Sequence, residues 1–452
     1  MKEADNPASP RSYFFFNLGC PKNLVDAEKT AYGLEKRGWA RAETPETAAL
    51  LVVTTCAFIS NAVEESVEEI LRVASAKGAW QKLAVLGCLV SREGEKLKGL
   101  FPEVDLFLAV PEMESLAVRA DGLFRAGRLP ARCPGPGEPL AHGRILFTPA
   151  HTAYLKIAEG CSNRCSYCLI PAIRGGLSSR GRDEILFEAG MLASAGVREM
   201  IVIAQDTGAW GSESGKGGDL YGMLRDLGSI SGIEWVRLMY LHPSHIDPPS
   251  LLKLIDGRKI IPYLDLPVQH ASDRILERMG RRYGRADLSR ILSELRSGSP
   301  GLVLRTTVMA GFPGETGAEF AELLDFIGEQ RFDHLGVFAW SAEKGTAAAR
   351  LRGRVDGPTV QARLAEITDL QMEISQEKMR ARIGKTLTVL VEGGLPESER
   401  PAHGVWGTGR FYGQAPEIDG LTYLSGRPAA AGSFAKARVT DAEAFDLFAA
   451  LE

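Results

Sequence analysis

The segment GCSNRCSYC constrains this chain more than any other, because Cys161, Cys165 and Cys168 are spaced C-x3-C-x2-C directly after the apolar run TAYLKIAEG. A structural zinc site closes on four ligands and favours paired C-x2-C spacing. A cubane iron–sulfur cluster normally takes four thiolates. Three crowded cysteines therefore leave one iron free for a ligand from outside the protein. An apolar strand running into such a loop places that open position at a strand end.

Five further apolar runs follow at regular intervals: REMIVIAQD, IEWVRLMYL, IPYLDLPVQ, LVLRTTVMAG and HLGVFAWS. Amphipathic segments such as ADLSRILSELRS and GAEFAELLDFIGEQ fit between them. Six strand–helix units over roughly 200 residues predict a partial (β/α)6 barrel, with its chemistry at the C-terminal mouth. The residues closing these strands are polar or special: Cys161, Gln205, Asp206, His242, Gln269, His270, Gly311 and Ser341.

The chain holds 7 cysteines, too few for a disulfide framework in 452 residues. Three of the others end apolar runs: SYFFFNLGC at Cys20, ALLVVTTC at Cys56 and KLAVLGC at Cys88. Between them lie helical stripes, Leu24, Ala27, Ala31 and Leu34, then Val63, Val67, Ile70, Leu71 and Ala74. Alternating strands and helices predict an N-terminal parallel α/β sheet. Strands of such a sheet end at one edge, so Cys20, Cys56 and Cys88 are expected to converge. One cysteine in that position reads as a small buried hydrophobe; three do not. Cys133 lies in AGRLPARCPGPGEPLAHGRI, residues 126–145, a linker by its Pro and Gly content.

Composition sets the remaining bounds. Apolar residues at 45% and charged residues at 24% are ordinary globular usage. No run is long enough to span a membrane, and MKEADNPASPRS lacks the apolar core of a secretory signal. A cytoplasmic protein is expected. Residues 358–382 carry a helical stripe, Leu364, Ile367, Leu370 and Ile374, after which the period changes to two in TLTVLVE and FAKARVT. These short strands predict a small antiparallel β-barrel of the oligonucleotide-binding type. The expected organisation is 12–125, a linker 126–145, a barrel with connector 146–382, and a terminal barrel 383–452.

The cysteine loop resembles the radical S-adenosylmethionine superfamily. LGCPKNLVDAE, TTCAFISNAVEES, AEGCSNRCSYCLIPAIRGGLSSR, IAQDTGAWG, YLDLPVQHASDRILERMGR and RTTVMAGFPGETGAEF are further similar to its methylthiotransferases, above all those that modify an aspartate of ribosomal protein S12. The resemblance implies one [4Fe–4S] cluster on Cys161, Cys165 and Cys168 for radical generation. It implies a second, sulfur-donating [4Fe–4S] cluster on Cys20, Cys56 and Cys88. It further implies two S-adenosylmethionine per turnover, a methylthio group inserted at the aspartate β-carbon, a flavodoxin-type low-potential electron donor, and a TRAM domain for the terminal barrel. An unactivated C–H bond is beyond any side-chain base, and a cofactor-derived radical answers that need.

Tyr167, Gln205, Gly311 and Gly314 are the expected S-adenosylmethionine contacts. A tight βα turn equally explains the two glycines, and strand-end capping equally explains Gln205 and Asp206. Arg174 and Arg180 flank the loop and either meet carboxylates or are solvated. His242, His245 and His270 lack metal-ligand spacing and read as packing residues. Gly176, Gln414 and the Thr54 of TTC depart from the family pattern without removing a cluster ligand. From Ile383 onward six bases face nine acids, the wrong balance for an RNA-binding barrel and the right one for a basic ribosomal protein. The competing readings are a tRNA methylthiotransferase and, from another class, a two-cluster electron carrier.

Overall fold

In a computed structural model the described residues are 11–124, 143–214, 218–255 and 259–452. Cys133 and most of the expected linker lie outside them. The chain divides into two compact units. The first is residues 1–148 with the segments 159–162 and 168–178; the second is 149–158, 163–167 and 179–452.

The first unit is built on β-branched and aromatic runs that pair in parallel. β1 (Ser12–Asn17), β2 (Ala40–Arg41), β3 (Leu50–Thr55), β4 (Lys82–Gly87) and β5 (Leu106–Ala109) form one sheet in the order β2-β1-β3-β4-β5. The register aligns Phe15 with Val52 and Val52 with Ala84. All six residues of β3 are buried, as a central parallel strand covered on both faces requires. Leu50, Val52, Ala84 and Leu86 face α1 (Pro21–Lys36) and α5 (Leu116–Leu123) through Ala31, Leu34, Leu116 and Ala120. Leu51, Val53, Leu83 and Val85 face the opposite way, against α2 (Ser60–Ala76), α3 (Cys88–Glu93) and α4 (Lys96–Leu100). Residues of the short helix α6 (Ile170–Arg174) join this second cluster through Ile173. Two details differ from the expected stripes: Leu71 is half exposed, while Ser66 and Val73 are buried. Ser66 fits there because its hydroxyl accepts from the Cys56 N–H and has the Cys56 and Ala62 carbonyls within reach of its one proton. A polar residue thus occupies the inner face with its hydrogen bonding met.

The second unit contains the six expected parallel strands. They are β6 (Thr152–Lys156), β9 (Glu199–Ile203), β10 (Trp235–Leu238), β11 (Ile260–Asp265), β12 (Val303–Ala310) and β13 (His334–Ala339), neighbours in that order. The sheet is open between β6 and β13, which makes it a partial barrel. A two-stranded pair, β7 (Ala158–Glu159) and β8 (Ser178–Ser179), frames the cysteine loop. Helices α7 (Arg182–Ser194), α8 (Leu220–Ser229), α9 (Pro248–Ile255), α10 (Asp273–Arg278), α11 (Arg285–Gly298) and α12 (Gly317–Gln330) supply the crossovers, and α13 (Gly357–Arg380) is the connector.

The terminal barrel closes as β14 (Thr386–Gly394), β15 (Gly407–Phe411), β16 (Thr422–Ser425), β18 (Leu447–Leu451) and β17 (Phe434–Ala442). Four of its five pairings are antiparallel, but β16 and β18 run parallel, so closure uses one parallel seam that a purely antiparallel expectation omits. The barrel belongs to the same compact unit as the six-stranded sheet. Its Arg410 donates to Glu199 at 2.5 Å, and Arg237 on β10 donates to the same carboxylate at 2.8 Å. Tyr263 donates to Asp419 at 2.8 Å, and His334 meets the Gly413 carbonyl at 2.7 Å. Glu199 begins β9, so this docking lies at the strand-starting end, away from the mouth.

Candidate functional site

Because β1, β3 and β4 are adjacent and parallel, the loops that follow them emerge at one edge with Cys20, Cys56 and Cys88. Both Gly-Cys steps need glycine. Gly19 has φ +97° and a side chain there would overlap the Asn23 amide; Gly87 has φ +104° and would crowd the Thr55 carbonyl. The Ser66 hydroxyl accepts from the Cys56 N–H at 3.1 Å, tying that loop to α2. Thr55 donates to the Leu86 carbonyl at 2.7 Å and accepts from the Leu89 N–H at 3.2 Å, joining the second loop to the third.

None of the six described cysteines is in a disulfide. Burial pushes the Cys88 thiol up to about 11, with Arg174 opposing and Cys20 and Cys56 adding to the rise. Cys56 is raised chiefly by burial too, with Cys20 contributing. Three thiols close enough to perturb one another, with no fourth at that edge among the described residues, fit a cluster that keeps one iron open.

Cys161, Cys165 and Cys168 lie on the loop between β7 and α6. The loop closes on itself where the Cys161 N–H donates to the Gly175 carbonyl at 3.1 Å. Gly160 (φ +67°) permits that closure, since any side chain there would overlap the Gly176 carbonyl. Asn163 donates to Asp206 at 2.6 Å, the Ser166 N–H donates to the Met279 carbonyl at 2.8 Å, and Arg281 donates to the Tyr167 hydroxyl at 2.7 Å. Cys161 is thus anchored through its own N–H, Cys165 through its neighbour Ser166 and Cys168 through its neighbour Tyr167. The donor set and the loop again suit three-thiolate ligation.

At the barrel mouth Asp206 is 2% exposed and accepts from His245 Nδ1 at 2.6 Å. Burial would raise its carboxyl, yet His245, His242 and Asn163 together hold it below the ordinary value. His242 stacks on His245 with ring centroids 5.0 Å apart. Burial, then Arg281, lowers His242 to about 3, and its Nδ1 accepts from the Ser244 N–H. The structure therefore gathers Asp206, His242 and His245, which their spacing in the chain did not suggest. Tyr240 (φ 59°) and Gln269 (φ 70°), just past β10 and β11, hold left-handed backbone that sequence reading also missed. Such conformations concentrate at ligand-facing strand ends.

Gln205 is half-buried just past the end of β9. Tyr167 packs in one cluster with Phe312, Met309 and Trp340. Gly311 and Gly314 form the βα turn after β12 with φ of +77° and +88°. The N–H groups of Gly311 and Phe312 donate to Glu315, itself held by Arg363 at 2.7 Å. Side chains at the two glycines would run into Val360 and Arg278. These glycines serve a tight turn that delivers Phe312 beside Tyr167. Arg174 and Arg180 both meet carboxylates, Asp26 with Glu159 and Glu184 with Glu188 respectively. Gln414 is buried and braces its own turn by accepting from Phe411 N–H and Thr422. Gly176 is exposed.

Known proteins match this layout throughout. Residues 12–109 match the Uncharacterized protein family UPF0004, 155–327 the Radical SAM superfamily and 383–451 the TRAM domain. The chain is 42% identical to the ribosomal protein uS12 methylthiotransferase RimO of Syntrophobacter fumaroxidans over 98% of each chain. It is 42% identical to that of Anaeromyxobacter sp. (strain K) over 96% of this chain and 92% of the other. A solved radical S-adenosylmethionine methyltransferase, TsrM of Kitasatospora setae, shares the fold with a TM-score of 0.52 at 16% identity, covering 73% of this chain and 72% of that one. Sequence and fold together define a radical S-adenosylmethionine methylthiotransferase. Within that class, the chain belongs to the RimO family.

Proposed function

We propose that this enzyme inserts a methylthio group at the β-carbon of an aspartate in ribosomal protein uS12. It would use two [4Fe–4S] clusters and two S-adenosylmethionine per turnover. When bound, these groups supply a carbon-centred radical at one site and a methylated sulfur at the other. The observation that carries the reading is the gathering of Cys20, Cys56 and Cys88 at one sheet edge, in a chain that separately carries the Cys161–Cys165–Cys168 loop.

The chain's own residues position and exclude. Cys161, Cys165 and Cys168 are ligands for the radical-generating cluster, and Cys20, Cys56 and Cys88 for the sulfur-donating one. Tyr167 and Gln205 are S-adenosylmethionine contacts, with the Gly311–Gly314 turn acting through Phe312. The apolar wall of Phe312, Met309 and Trp340 beside Tyr167 keeps water from a reactive carbon radical. A flavodoxin-type donor supplies the electron, and the enzyme works in the cytoplasm. A protein substrate is supported by charge: Arg410, Glu392 and Asp419 are consumed in the barrel seam, leaving five bases against seven acids on the terminal domain.

The test is mass spectrometry of uS12 after anaerobic incubation with reduced, reconstituted enzyme. A gain of one SCH3 on one aspartate supports the reading. The same gain on a tRNA adenosine, with uS12 unmodified, overturns it.

A further inference from the structure

Asn23 stands three residues after Cys20 on α1 and is 3% exposed. Its amide nitrogen donates to the Leu18 carbonyl at 3.3 Å and the Thr55 carbonyl at 3.0 Å. Its amide oxygen accepts from the Cys88 thiol at 3.5 Å and from Arg174 Nη2. One side chain therefore touches all three cysteine-bearing loops. Arg174 in turn is pinned from the other side by Asp26 at 3.0 Å and Glu159 at 2.9 Å, with its side chain 2% exposed.

A buried guanidinium costs several kcal/mol of desolvation unless it is paired. A purely structural ion pair explains the carboxylates but not Asn23, which spends its acceptor on Arg174 and a thiol together. A guanidinium stays protonated in proteins, and the Asp26 and Glu159 carboxylates beside it favour that charge, so Arg174 is a cation. Iron held on Cys88 Sγ would require that sulfur to be a thiolate, its proton released to solvent. The Asn23 oxygen then loses a donor and faces a sulfur anion. Arg174 is the cation beside both. Nearby positive charge and N–H donors to ligand sulfur favour the reduced state of an iron–sulfur cluster.

We propose that Arg174, oriented by Asn23, Asp26 and Glu159, is a positioning residue that stabilises the thiolate ligand on Cys88 and raises the reduction potential of the N-terminal cluster. This rests on the two-cluster reading above. The reaction tested is one electron passing from dithionite to the cluster, with no other bond made or broken.

The full chain with Cys161, Cys165 and Cys168 all changed to Ala isolates the N-terminal centre. Four irons after anaerobic reconstitution uphold the two-cluster reading, and none overturns it independently of Arg174. In that background Arg174→Gln, Arg174→Lys and Asp26→Asn are titrated potentiometrically and followed by electron paramagnetic resonance. Arg174→Gln is expected to cut the reduced-to-oxidised ratio about tenfold at the parent's midpoint, a 59 mV fall for one electron. Asp26→Asn should shift the midpoint upward, and Arg174→Lys, which keeps the charge, should stay near the parent. Parent-like titrations of both Arg174→Gln and Asp26→Asn overturn the proposal. Should Arg174→Gln hold no iron, the direction for Asp26→Asn decides: a rise supports the proposal, and no rise sinks it. If Asp26→Asn also holds none, retention of iron by Arg174→Lys supports the charge requirement and its loss refutes it.

Discussion

At the residue scale the two cysteine sets make separable predictions. On the proposed assignment Cys165→Ala removes a ligand of the radical-generating set, so 5′-deoxyadenosine formation should fall to background by chromatography. Cys56→Ala leaves that loop untouched; deoxyadenosine should persist while methylthio transfer is lost. Equal loss of both products would mean that the two centres are not separable. Gly160→Ala tests the loop itself. Its φ of +67° and the Gly176 carbonyl leave no room for a methyl group, so iron bound at Cys161, Cys165 and Cys168 should drop with no ligand altered. The six cysteines were legible because each ends an apolar run or sits in a short motif. Asn23 was visible only as part of PKN, since its partners lie on three other segments. The Asp206–His242–His245 cluster was illegible for the same reason: adjacency between β9 and β10 brings it together, not spacing along the chain.

At the element scale, alternation and apolar runs gave the six strands of the partial barrel and the three strands that end in cysteine. The two-residue β2 and the short β5 carry too little pattern to stand out. The inner face of α2 was misjudged because Ser66, polar in sequence, is satisfied by Cys56. Strand ends here use histidine as a backbone acceptor, which has a pH consequence. His270 is 0% exposed, and its Nδ1 accepts from the Ser272 N–H at 3.0 Å, so it must be neutral. Burial lowers it to about 4 from an ordinary 6.5. Between those values the unfolded chain binds the extra proton. The contribution is therefore present above pH 6.5 and lost as pH falls toward 4. Its size is about 2 kcal/mol between pH 7 and pH 5. Urea unfolding of the apo chain at both pH values should show the loss, and His270→Asn, which keeps an acceptor without the titration, should remove about that much of it.

At the scale of the whole molecule, the count of acids in the terminal domain hid a structural use for some of them. Glu392 and Asp419 belong to a seam that joins residues up to 241 positions apart in the chain, a relation no local pattern carries. No helix among the described residues is long and apolar enough to cross a membrane. Glu199 is the centre of the seam, fully buried between Arg237 and Arg410. Burial alone would raise its carboxyl, but the two guanidiniums hold it below the ordinary value. Its stabilising effect is thus present at neutral pH and lost only as pH falls below the unfolded carboxyl value of about 4.3. Glu199→Gln leaves two buried cations sharing a neutral amide and should cost about 3–5 kcal/mol. The exposed partner pair offers the contrast: Glu184 is 60% exposed beside Arg180, and Glu184→Gln should change stability by less than about 1 kcal/mol. Urea midpoints of the two apo variants at pH 7 compare them directly. Equal, small losses would mean that the terminal barrel is held by its apolar contacts alone.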